Sequence, residues 1–340
     1  MNVFIIAEAG VNHNGDLHIA LDLVDAAASA GADAVKFQTF RTENVVVKGT
    51  EKAEYQKIQT GDGDQYDMIR KLELGKAEHE AIAIRCRERG IEFMSTPFDE
   101  WGADLLLKLG MRRIKIASGE LTNRPFLELL ARHGLPLILS TGMSDLYEVR
   151  RSVEWLRNNH PATDCSDWLT LLHCTSNYPA DPKDVNLLAM RTLHEATALP
   201  IGYSDHTLGI EISLAAVAMG ARVIEKHFTL DRSLLGPDHQ ASLVPSQLTE
   251  LVRCCRAIQL AYGDGIKQPT PSELPVRSLV RRSAFLAQDL PAGAKLDLAT
   301  VRFLRPGDVG IGPECWNELL GRRLLRQLPA GHRLSWVDVA

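Results

Sequence analysis

Ionisable and hydroxyl side chains recur where short apolar segments of this 340-residue chain end. Lys36 and Gln38 are two residues apart, as are Glu225 and His227, so each pair would lie on one face of a strand. Charged groups are rarely buried unless they are paired or bind a ligand. Their recurrence at successive strand ends therefore predicts one active site. The candidates are Glu8, Lys36, Gln38, Thr96, Lys115, Ser118, Glu120, Ser140, Tyr178, Ser204, His206, Glu225 and His227.

Two lysines, Lys36 and Lys115, lie on the second and fourth of these segments. A lysine ammonium is a compact point charge that suits phosphate, and hydroxyl groups add hydrogen-bond donors. With Thr96, Ser118 and Ser140 nearby, the lysines would hold a phosphate and a carboxylate. The alternative is a Schiff-base lysine, which needs a lowered pKa. Two lysines beside donor hydroxyls favour anion binding.

Two histidines, His206 and His227, end the seventh and eighth segments, which are neighbours if the strands close into a barrel. Two imidazoles from adjacent strands form half of a site for a divalent transition metal. Neither an HxH nor an HxxE spacing accompanies them, so one histidine could instead be a general acid–base and the other structural. Asp238 follows closely in a Gly-Pro-Asp-His sequence and adds a carboxylate.

The elements that must position these residues alternate up to residue 264. Eight apolar segments indicate strands, and helical patterns separate them. This count is typical of a (β/α)₈ TIM barrel, in which reactive groups lie at the C-terminal ends of the strands. An open doubly wound sheet is the alternative, but its usual GxGxxG loop is absent. The predicted strands are 4–9, 34–39, 91–95, 113–118, 136–141, 168–175, 200–204 and 222–228, and the predicted helices are 17–30, 77–89, 100–109, 124–133, 145–159, 184–196, 210–219 and 245–262.

Three segments define the predicted organisation around this barrel, which spans residues 1–264. Residues 40–76 are the longest stretch without a clear strand or helix, and we expect an active-site loop there. Residues 265–277 are rich in proline and predict an extended linker. Residues 278–340 predict a small β-rich domain. Its β-like runs are 283–287, 301–304 and 333–337.

Composition excludes several classes of protein. The chain has 38 Lys and Arg against 43 Asp and Glu, a net charge of −5, which argues against a general nucleic-acid binder. No apolar run approaches the ~20 residues that span a bilayer, and the first residues lack the basic start of a secretory signal. The six cysteines form no CxxC, which favours free thiols in a reducing cytoplasm. We therefore expect a cytoplasmic protein with small-molecule partners.

A series of motifs follows the predicted strand ends in order along the chain. They are residues 5–15 (IIAEAGVNHNG), 35–39 (VKFQT), 95–99 (STPFD), 118–120 (SGE), 139–143 (LSTGM), 173–175 (HCT), 178–179 (YP), 203–207 (YSDHT), 225–229 (EKHFT) and 236–239 (GPDH). Together they resemble the sialic acid synthase family over nearly the whole chain. The tail resembles the family's antifreeze-like (SAF) domain, which carries Arg305-Pro306-Gly307. One departure follows, because the family often continues Asn-Gly-Ile where this chain has Asp308-Val309-Gly310-Ile311.

The resemblance implies a condensation of phosphoenolpyruvate with an N-acetylated amino-sugar aldehyde, in which phosphate leaves by C–O cleavage. It implies a divalent metal, most often Mn²⁺ with Mg²⁺ or Co²⁺ as alternatives, and a homodimer in which each domain-swapped SAF domain caps the partner's barrel. The favoured reaction makes N-acetylneuraminate from N-acetylmannosamine. One alternative is an N,N'-diacetyllegionaminate synthase that takes a 2,4-diacetamido-trideoxy hexose. Another is a non-catalytic barrel that binds sugar phosphates.

The resemblance also implies a role for each candidate residue. His206 and His227 would bind the metal and belong to the catalytic set with Glu8 and Glu120. Arg305 of the other subunit would reach the N-acetyl group. Phosphoenolpyruvate would be held by Lys36, Thr96, Lys115, Ser118, Ser140 and Ser204, and the sugar by Gln38, Tyr178, Asp238 and Arg305.

Overall fold

The computed structural model describes residues 3–307 and 309–340, and for Tyr55 no side-chain description is given. Asp308, part of the departure from the family's tail motif, lies outside the described residues. The chain divides into two compact units, Met1–Gly263 and Asp264–Ala340. No helix of the described ranges is long and apolar enough to cross a membrane.

The first unit is a barrel of eight parallel strands. The strand order is β3-β2-β1-β8-β7-β6-β5-β4, so the first strand pairs with both the second and the last. Strands β3 and β4 lie side by side at the remaining seam. This order confirms the (β/α)₈ barrel and excludes an open doubly wound sheet. The strands are β1 (Phe4–Gly10), β2 (Ala34–Thr39), β3 (Glu92–Pro97), β4 (Ile114–Ile116), β5 (Leu137–Ser140), β6 (Leu169–Cys174), β7 (Ile201–Asp205) and β8 (Val223–His227).

Helices surround the strands and begin and end where local signals require it. Helix α1 starts after Asp16, whose carboxylate accepts hydrogen bonds from the backbone amides of His18 and Ile19. It ends at Gly31, which has a φ of 79° that a glycine adopts without strain. The helices of this unit are α1 (Leu17–Ala30), α2 (Thr42–Val45), α3 (Glu54–Thr60), α4 (Gln65–Arg70), α5 (Lys76–Arg89), α6 (Glu100–Lys108), α7 (Arg124–Arg132), α8 (Leu146–Asn159), α9 (Ala189–Thr197), α10 (Glu211–Ala218) and α11 (Pro245–Ala261).

The interior of the barrel changes from apolar to charged within one two-residue step along the strands. An apolar cluster fills its lower layer and consists of Ile6, Ala34, Met94, Ile138, Leu172 and Val223. Because side chains two residues apart lie on one face of a strand, the next inward layer is already determined. That layer contains Glu8, Lys36, Thr96, Ser140, Cys174 and Glu225. The apolar layer therefore forms the floor of a polar site.

The segment between β2 and α5 is not the simple loop that the sequence predicts, because it contains the short helices α2, α3 and α4. Helices of four to seven residues make too few turns to show a periodic apolar pattern. Side chains tie the segment down. The Glu73 carboxylate accepts from the amide and hydroxyl of Thr42, and the Lys52 ammonium donates to the carbonyls of Gly61 and Asp62. We call residues 40–72 the mouth segment.

The second unit contains a two-stranded antiparallel sheet of β9 (Ser283–Leu286) and β10 (Val301–Leu304), with helices α12 (Leu274–Val280) and α13 (Trp316–Leu319). Helix α12 overlaps the predicted linker, so that segment is not extended throughout. The predicted strand at 333–337 is wrong, since only Arg333 forms a bridge to Phe285. The amide and hydroxyl of Ser335 both donate to Asp338, and this starts a 3₁₀ turn instead of a strand.

Candidate functional site

The C-terminal end of the barrel encloses a cavity of about 370 Å³, here called the charged cavity. Its walls come from all eight strands or the loops that follow them, as expected of a TIM barrel. Most of the predicted site residues meet there. They are Glu8, Lys36, Gln38, Thr96, Lys115, Ser118, Ser140, Tyr178, Ser204, His206 and His227.

Lys36 is the centre of a buried ionic network. Its ammonium lies 2.6 Å from the Glu8 carboxylate and 3.6 Å from that of Glu225, and it donates to the Thr96 hydroxyl at 2.8 Å. Burial opposes the charge, but Glu225 and Glu8 outweigh it and raise the pKa of Lys36. Burial outweighs the attraction of Lys36 at Glu8 and raises the pKa of Glu8 to about 7. Lys36 is therefore cationic, and Glu8 can hold a proton near neutral pH.

Glu225 joins the two lysines. Its carboxylate lies 3.5 Å from the ammonium of Lys115 and accepts a hydrogen bond from the Ser204 hydroxyl at 2.8 Å. Burial acts to raise the pKa of Glu225, but Lys115 and Lys36 outweigh it and lower that pKa to about 2. Burial lowers the pKa of Lys115 despite Glu225. A lowered pKa is what a Schiff-base lysine needs, so this alternative stays open for Lys115.

Hydroxyl groups line the same cavity, and one of them is unpaired. The Ser140 hydroxyl is buried and has no hydrogen-bond partner among the described residues. The Ser118 hydroxyl accepts from the amide of Gly142, where an added Cβ would lie 2.3 Å from the Ser176 hydroxyl oxygen. Glycine at 142 therefore leaves room that a side chain would fill. The Ser140 hydroxyl is therefore a donor that an anion in the charged cavity could use.

His206 and His227 stand together on the adjacent strand ends, with ring centroids 5.4 Å apart. The Nδ1 atom of His206 lies 2.7 Å from the carbonyl oxygen of Thr175, to which it can donate, leaving Nε2 as an acceptor. The Nδ1 atom of His227 has no hydrogen-bond partner among the described residues. Burial lowers the pKa of His206 to about 4, and burial together with His206 lowers that of His227 well below its usual value. Both rings are neutral at pH 7, the form that binds a metal.

This pair fits a divalent cation as two of its ligands. Metal-binding histidines commonly donate the other ring nitrogen to a carbonyl, as His206 can. Within residues 3–307 and 309–340, no three His, Cys, Asp or Glu side chains gather as a metal-binding group. The remaining coordination positions would fall to substrate oxygens and water.

A second cavity of about 170 Å³, here called the apolar cavity, adjoins the first and shares four wall residues with it. The shared residues are Gln38, Phe98, Tyr178 and His227. The mouth segment supplies most of the other wall, and most of these side chains are apolar. Burial raises the pKa of Asp238, which also lines this cavity, to about 6, and its carboxylate lies 3.9 Å from the Nδ1 atom of His227. The apolar side chains are Val11, Phe40, Val45, Met68, Ile69, Leu72, Phe98 and Pro237.

Two predicted residues are not brought to these cavities. Glu120 lines neither of them and instead accepts a hydrogen bond from Asn123 at 2.7 Å. It is the last residue of a 3₁₀ turn, Ser118–Glu120, that follows β4. The catalytic role predicted for Glu120 has no support from this geometry. Arg305 is exposed in the second unit, directly after β10.

Glu225 is among the strand-end candidates that the sequence predicts, but no role is predicted for it, and the apolar cavity is not predicted. The two-residue spacing of Glu225 and His227 predicts that they share one face of β8, and both line the charged cavity. No comparable signal existed for Val45, Gln56 or Met68, which come from the short helices of the mouth segment.

Comparisons with known proteins agree with this architecture. The NeuB family model matches residues 23–267, and the SAF domain model matches residues 281–340. An N,N'-diacetyllegionaminic acid synthase of Legionella pneumophila is 52% identical over 340 residues, which cover 100% of this chain and 95% of that protein. A Campylobacter jejuni protein of the same name is 46% identical, over 94% of each chain.

A solved structure carries the comparison further. The N-acetylneuraminic acid synthetase of Leptospira borgpetersenii, crystallised with citrate, superimposes with a TM-score of 0.70 at 38% identity. The match covers 81% of this chain and 90% of that one. The resemblance to the sialic acid synthases is thereby confirmed, and the chain belongs to the NeuB family, with a SAF domain at its C-terminal end.

Proposed function

We propose that the protein is a nonulosonic acid synthase that condenses phosphoenolpyruvate with an acetamido-sugar aldehyde. The observation that carries this proposal is the buried pair of lysines, Lys36 and Lys115, whose ammonium groups both lie beside the Glu225 carboxylate in the charged cavity. The phosphate and carboxylate groups of the substrate would take over part of the contacts that Glu225 makes with the two ammonium groups. The membership of the NeuB family supports the same reaction class.

In this reaction C3 of phosphoenolpyruvate bonds to the aldehyde carbon, water adds at C2, and the C2–O bond to phosphate then breaks. Lys36, Lys115 and the free hydroxyl of Ser140 would hold the anionic groups, as charge-assisted hydrogen bonds are the strong ones. Thr96, Ser118 and Ser204 would complete this set. Holding two reactants in place contributes several kcal/mol, about 7–11 in favourable models.

Two carboxyl groups, one protonated and one ionised, can carry out the proton transfers of this reaction. Ionised Glu225 would accept the proton that the attacking water loses, and protonated Glu8 would donate one to the former aldehyde oxygen. The two transfers balance, because the condensation consumes one water and turns the aldehyde into a hydroxyl group. Glu8 and Glu225 both contact Lys36, so protonation of one carboxylate changes the pKa of the other.

A divalent cation, most often Mn²⁺, would be bound by His206 and His227. When bound, such an ion polarises the aldehyde oxygen as a Lewis acid. The neutral rings and the unpaired Nδ1 atom of His227 support this assignment. Gln38, Tyr178 and Asp238, which lie on the same side of the site, would orient the sugar.

The sugar that fits best is a 2,4-diacetamido-trideoxy hexose, as in N,N'-diacetyllegionaminate synthesis. This sugar has a methyl group at C6 and two acetamido methyl groups, which suit the apolar side chains of the mouth segment. The names of the relatives with 52% and 46% identity support the same choice. N-Acetylmannosamine, the sugar favoured by sequence reasoning, is the second candidate and is supported by the Leptospira neighbour.

Phosphate release tests the reaction. Purified protein with Mn²⁺ and phosphoenolpyruvate should release phosphate only when an acetamido-sugar aldehyde is present. Phosphate release that does not depend on the sugar would contradict the condensation. Absence of release with every acetamido sugar would favour the non-catalytic binding barrel.

The choice of sugar needs one comparison. We expect kcat/KM for the 2,4-diacetamido-trideoxy hexose to exceed that for N-acetylmannosamine by at least about tenfold, since each methyl in an apolar pocket is worth about 1–3 kcal/mol. A preference for N-acetylmannosamine would instead establish the second candidate.

We also propose a homodimer in which Arg305 of the partner's tail completes the sugar site, as the family resemblance implies. Mixing inactive His206→Ala subunits with inactive Arg305→Ala subunits should restore partial activity, because one site of a mixed dimer is intact. Exchange of subunits without any recovery would exclude a shared site.

A further inference from the structure

A buried ion pair, Asp205 with Lys226, lies next to the two histidines along the chain and is not used by the proposed reaction. Asp205 precedes His206, Lys226 precedes His227, and the two pair directly in the register of β7 and β8. Because side chains alternate along a strand, the histidines face the cavity and the ion pair faces the opposite side of the sheet. The ammonium and carboxylate are 2.9 Å apart, and both side chains are 0% exposed.

The pair also holds the residue that follows His206. The Asp205 carboxylate accepts from the amide of Thr207 at 2.9 Å and from its hydroxyl at 2.7 Å. The Lys226 ammonium donates to the Thr207 carbonyl at 2.5 Å. The hydroxyl of Ser213, on α10, donates to the same carboxylate at 2.6 Å. His206 is therefore held on both sides by this network.

The position of His227 is determined by its backbone contacts. Its Nδ1 atom has no hydrogen-bond partner among the described residues, in contrast to Nδ1 of His206, which lies 2.7 Å from the Thr175 carbonyl. Its carbonyl accepts from the amide of Leu243 at 2.8 Å, and its neighbour Lys226 is fixed by the ion pair. The position of the His227 ring therefore follows the position of β8 relative to β7.

Stability alone does not explain this pair. Two charges lose their hydration when they are buried, and apolar replacements of such pairs are often equally stable. We propose that Asp205 and Lys226 are positioning residues that keep His206 and His227 at the spacing a divalent cation requires. The inference rests on the metal-binding role proposed above, and it adds the residues that set the affinity of that site.

The test compares two double variants. Asp205→Asn with Lys226→Met removes both charges together, because a single substitution would leave an unpaired buried charge. The control is Glu92→Gln with Arg113→Met, which removes an ion pair at the opposite end of the barrel strands with N–O distances of 2.7 and 3.1 Å. Mn²⁺ is titrated calorimetrically into each metal-free protein, and urea unfolding reports the fold.

We expect the Asp205/Lys226 variant to bind Mn²⁺ at least about tenfold more weakly than the wild type, with the control within about twofold. Saturating Mn²⁺ should restore kcat, and KM for phosphoenolpyruvate should stay within about twofold. A milder variant, Ser213→Ala, removes one hydrogen bond to Asp205 and should weaken Mn²⁺ binding in the same direction.

Wild-type Mn²⁺ affinity in the folded Asp205/Lys226 and Ser213 variants would overturn the inference. So would an equal loss of affinity for Mn²⁺ and phosphoenolpyruvate, since that would indicate general damage to the barrel. No Mn²⁺ binding by the wild type would refute the metal role of the histidines, and the inference with it. If the double variant does not fold, Ser213→Ala decides the question alone.

Discussion

The charged cavity and the apolar cavity share four wall residues but are built in different ways. Strand ends form the charged cavity, with lysines, carboxyl groups and hydroxyls at positions that the two-residue repeat determines. The short helices of the mouth segment form much of the apolar cavity. Connecting segments vary more among related proteins than the strands they connect. A substrate common to a family would therefore suit the strand ends, and a sugar that differs between members would suit the mouth segment. We therefore expect the charged cavity to carry the shared chemistry and the apolar cavity to determine the choice of sugar.

The largest expected effect comes from removing the two histidines that we propose bind a metal, at the border of the cavities. His206→Ala with His227→Ala should lower kcat/KM at least about a thousandfold, since Lewis-acid polarisation is worth several kcal/mol. His194→Ala is the control, because this exposed histidine of α9 lies within hydrogen-bond distance of the Leu199 carbonyl and lines neither cavity. Steady-state phosphate release measures both. Full activity of the double variant would contradict a catalytic metal site at His206 and His227.

The apolar cavity should contain a carboxyl group that destabilises the fold when it ionises. Burial raises the pKa of Asp238 to about 6 from 3.8, so the folded protein holds a proton that the unfolded chain has lost. The free energy of unfolding of the metal-free wild type, relative to Asp238→Asn, should therefore fall as pH rises from 3.8 to about 6. The loss should total about 3 kcal/mol. Urea unfolding at several pH values measures it, and a difference that is constant or rises with pH would contradict it.

The charged cavity should lose affinity for phosphoenolpyruvate when a lysine is removed. Lys36→Met deletes charge-assisted hydrogen bonds worth about 1.5–3 kcal/mol, so the dissociation constant should rise about 10- to 150-fold. Lys108→Met, an exposed residue at the end of α6, is the matched control. Calorimetric titration with phosphoenolpyruvate distinguishes them. An unchanged dissociation constant in Lys36→Met would place the anion elsewhere.

The same experiment on Lys115 settles the Schiff-base alternative. Lys115→Met should weaken phosphoenolpyruvate binding, and borohydride should trap no adduct in the wild type. A Lys115→Met variant with normal affinity, together with a wild-type adduct that borohydride traps, would establish an imine at Lys115.

The smallest expected effect concerns sugar selectivity. Val45 lines the apolar cavity, whereas Val47, in the same segment, is 79% exposed. Val45→Asn should reduce the preference for the 2,4-diacetamido-trideoxy hexose about three- to tenfold, while Val47→Asn leaves it unchanged. The ratio of kcat/KM for the two sugars measures this preference. Equal changes in both variants would indicate that the apolar cavity does not determine sugar selectivity.

The barrel and the charged cavity are largely predictable from the sequence because strands repeat every two residues. Once Ile6 is placed inside β1, Glu8 must follow it inward, and the same step takes Ala34 to Lys36 and Val223 to Glu225. The apolar segments determine the strands, and closure of the barrel brings their ends together.

The apolar cavity and the second unit were harder to predict for a physical reason. Val45 and Met68 reach the site from helices too short to show periodicity, so only tertiary contacts determine their positions. The tail residue Trp336 begins a 3₁₀ turn because Ser335 and Asp338 form a local cap that competes with the strand. Glu120 lies in the 3₁₀ turn after β4, so the two-residue repeat of the strand does not determine where its side chain lies.

One structure would test the division into two cavities most directly. Crystals grown with Mn²⁺, phosphoenolpyruvate and the unreactive open-chain alditol of the 2,4-diacetamido-trideoxy hexose would hold both substrates without reaction. We predict anionic oxygens of phosphoenolpyruvate within about 3.2 Å of the Lys36 and Lys115 ammonium groups, and the C6 methyl of the alditol against Val45 and Met68. Phosphoenolpyruvate in the apolar cavity, or the alditol against the two lysines, would contradict this account.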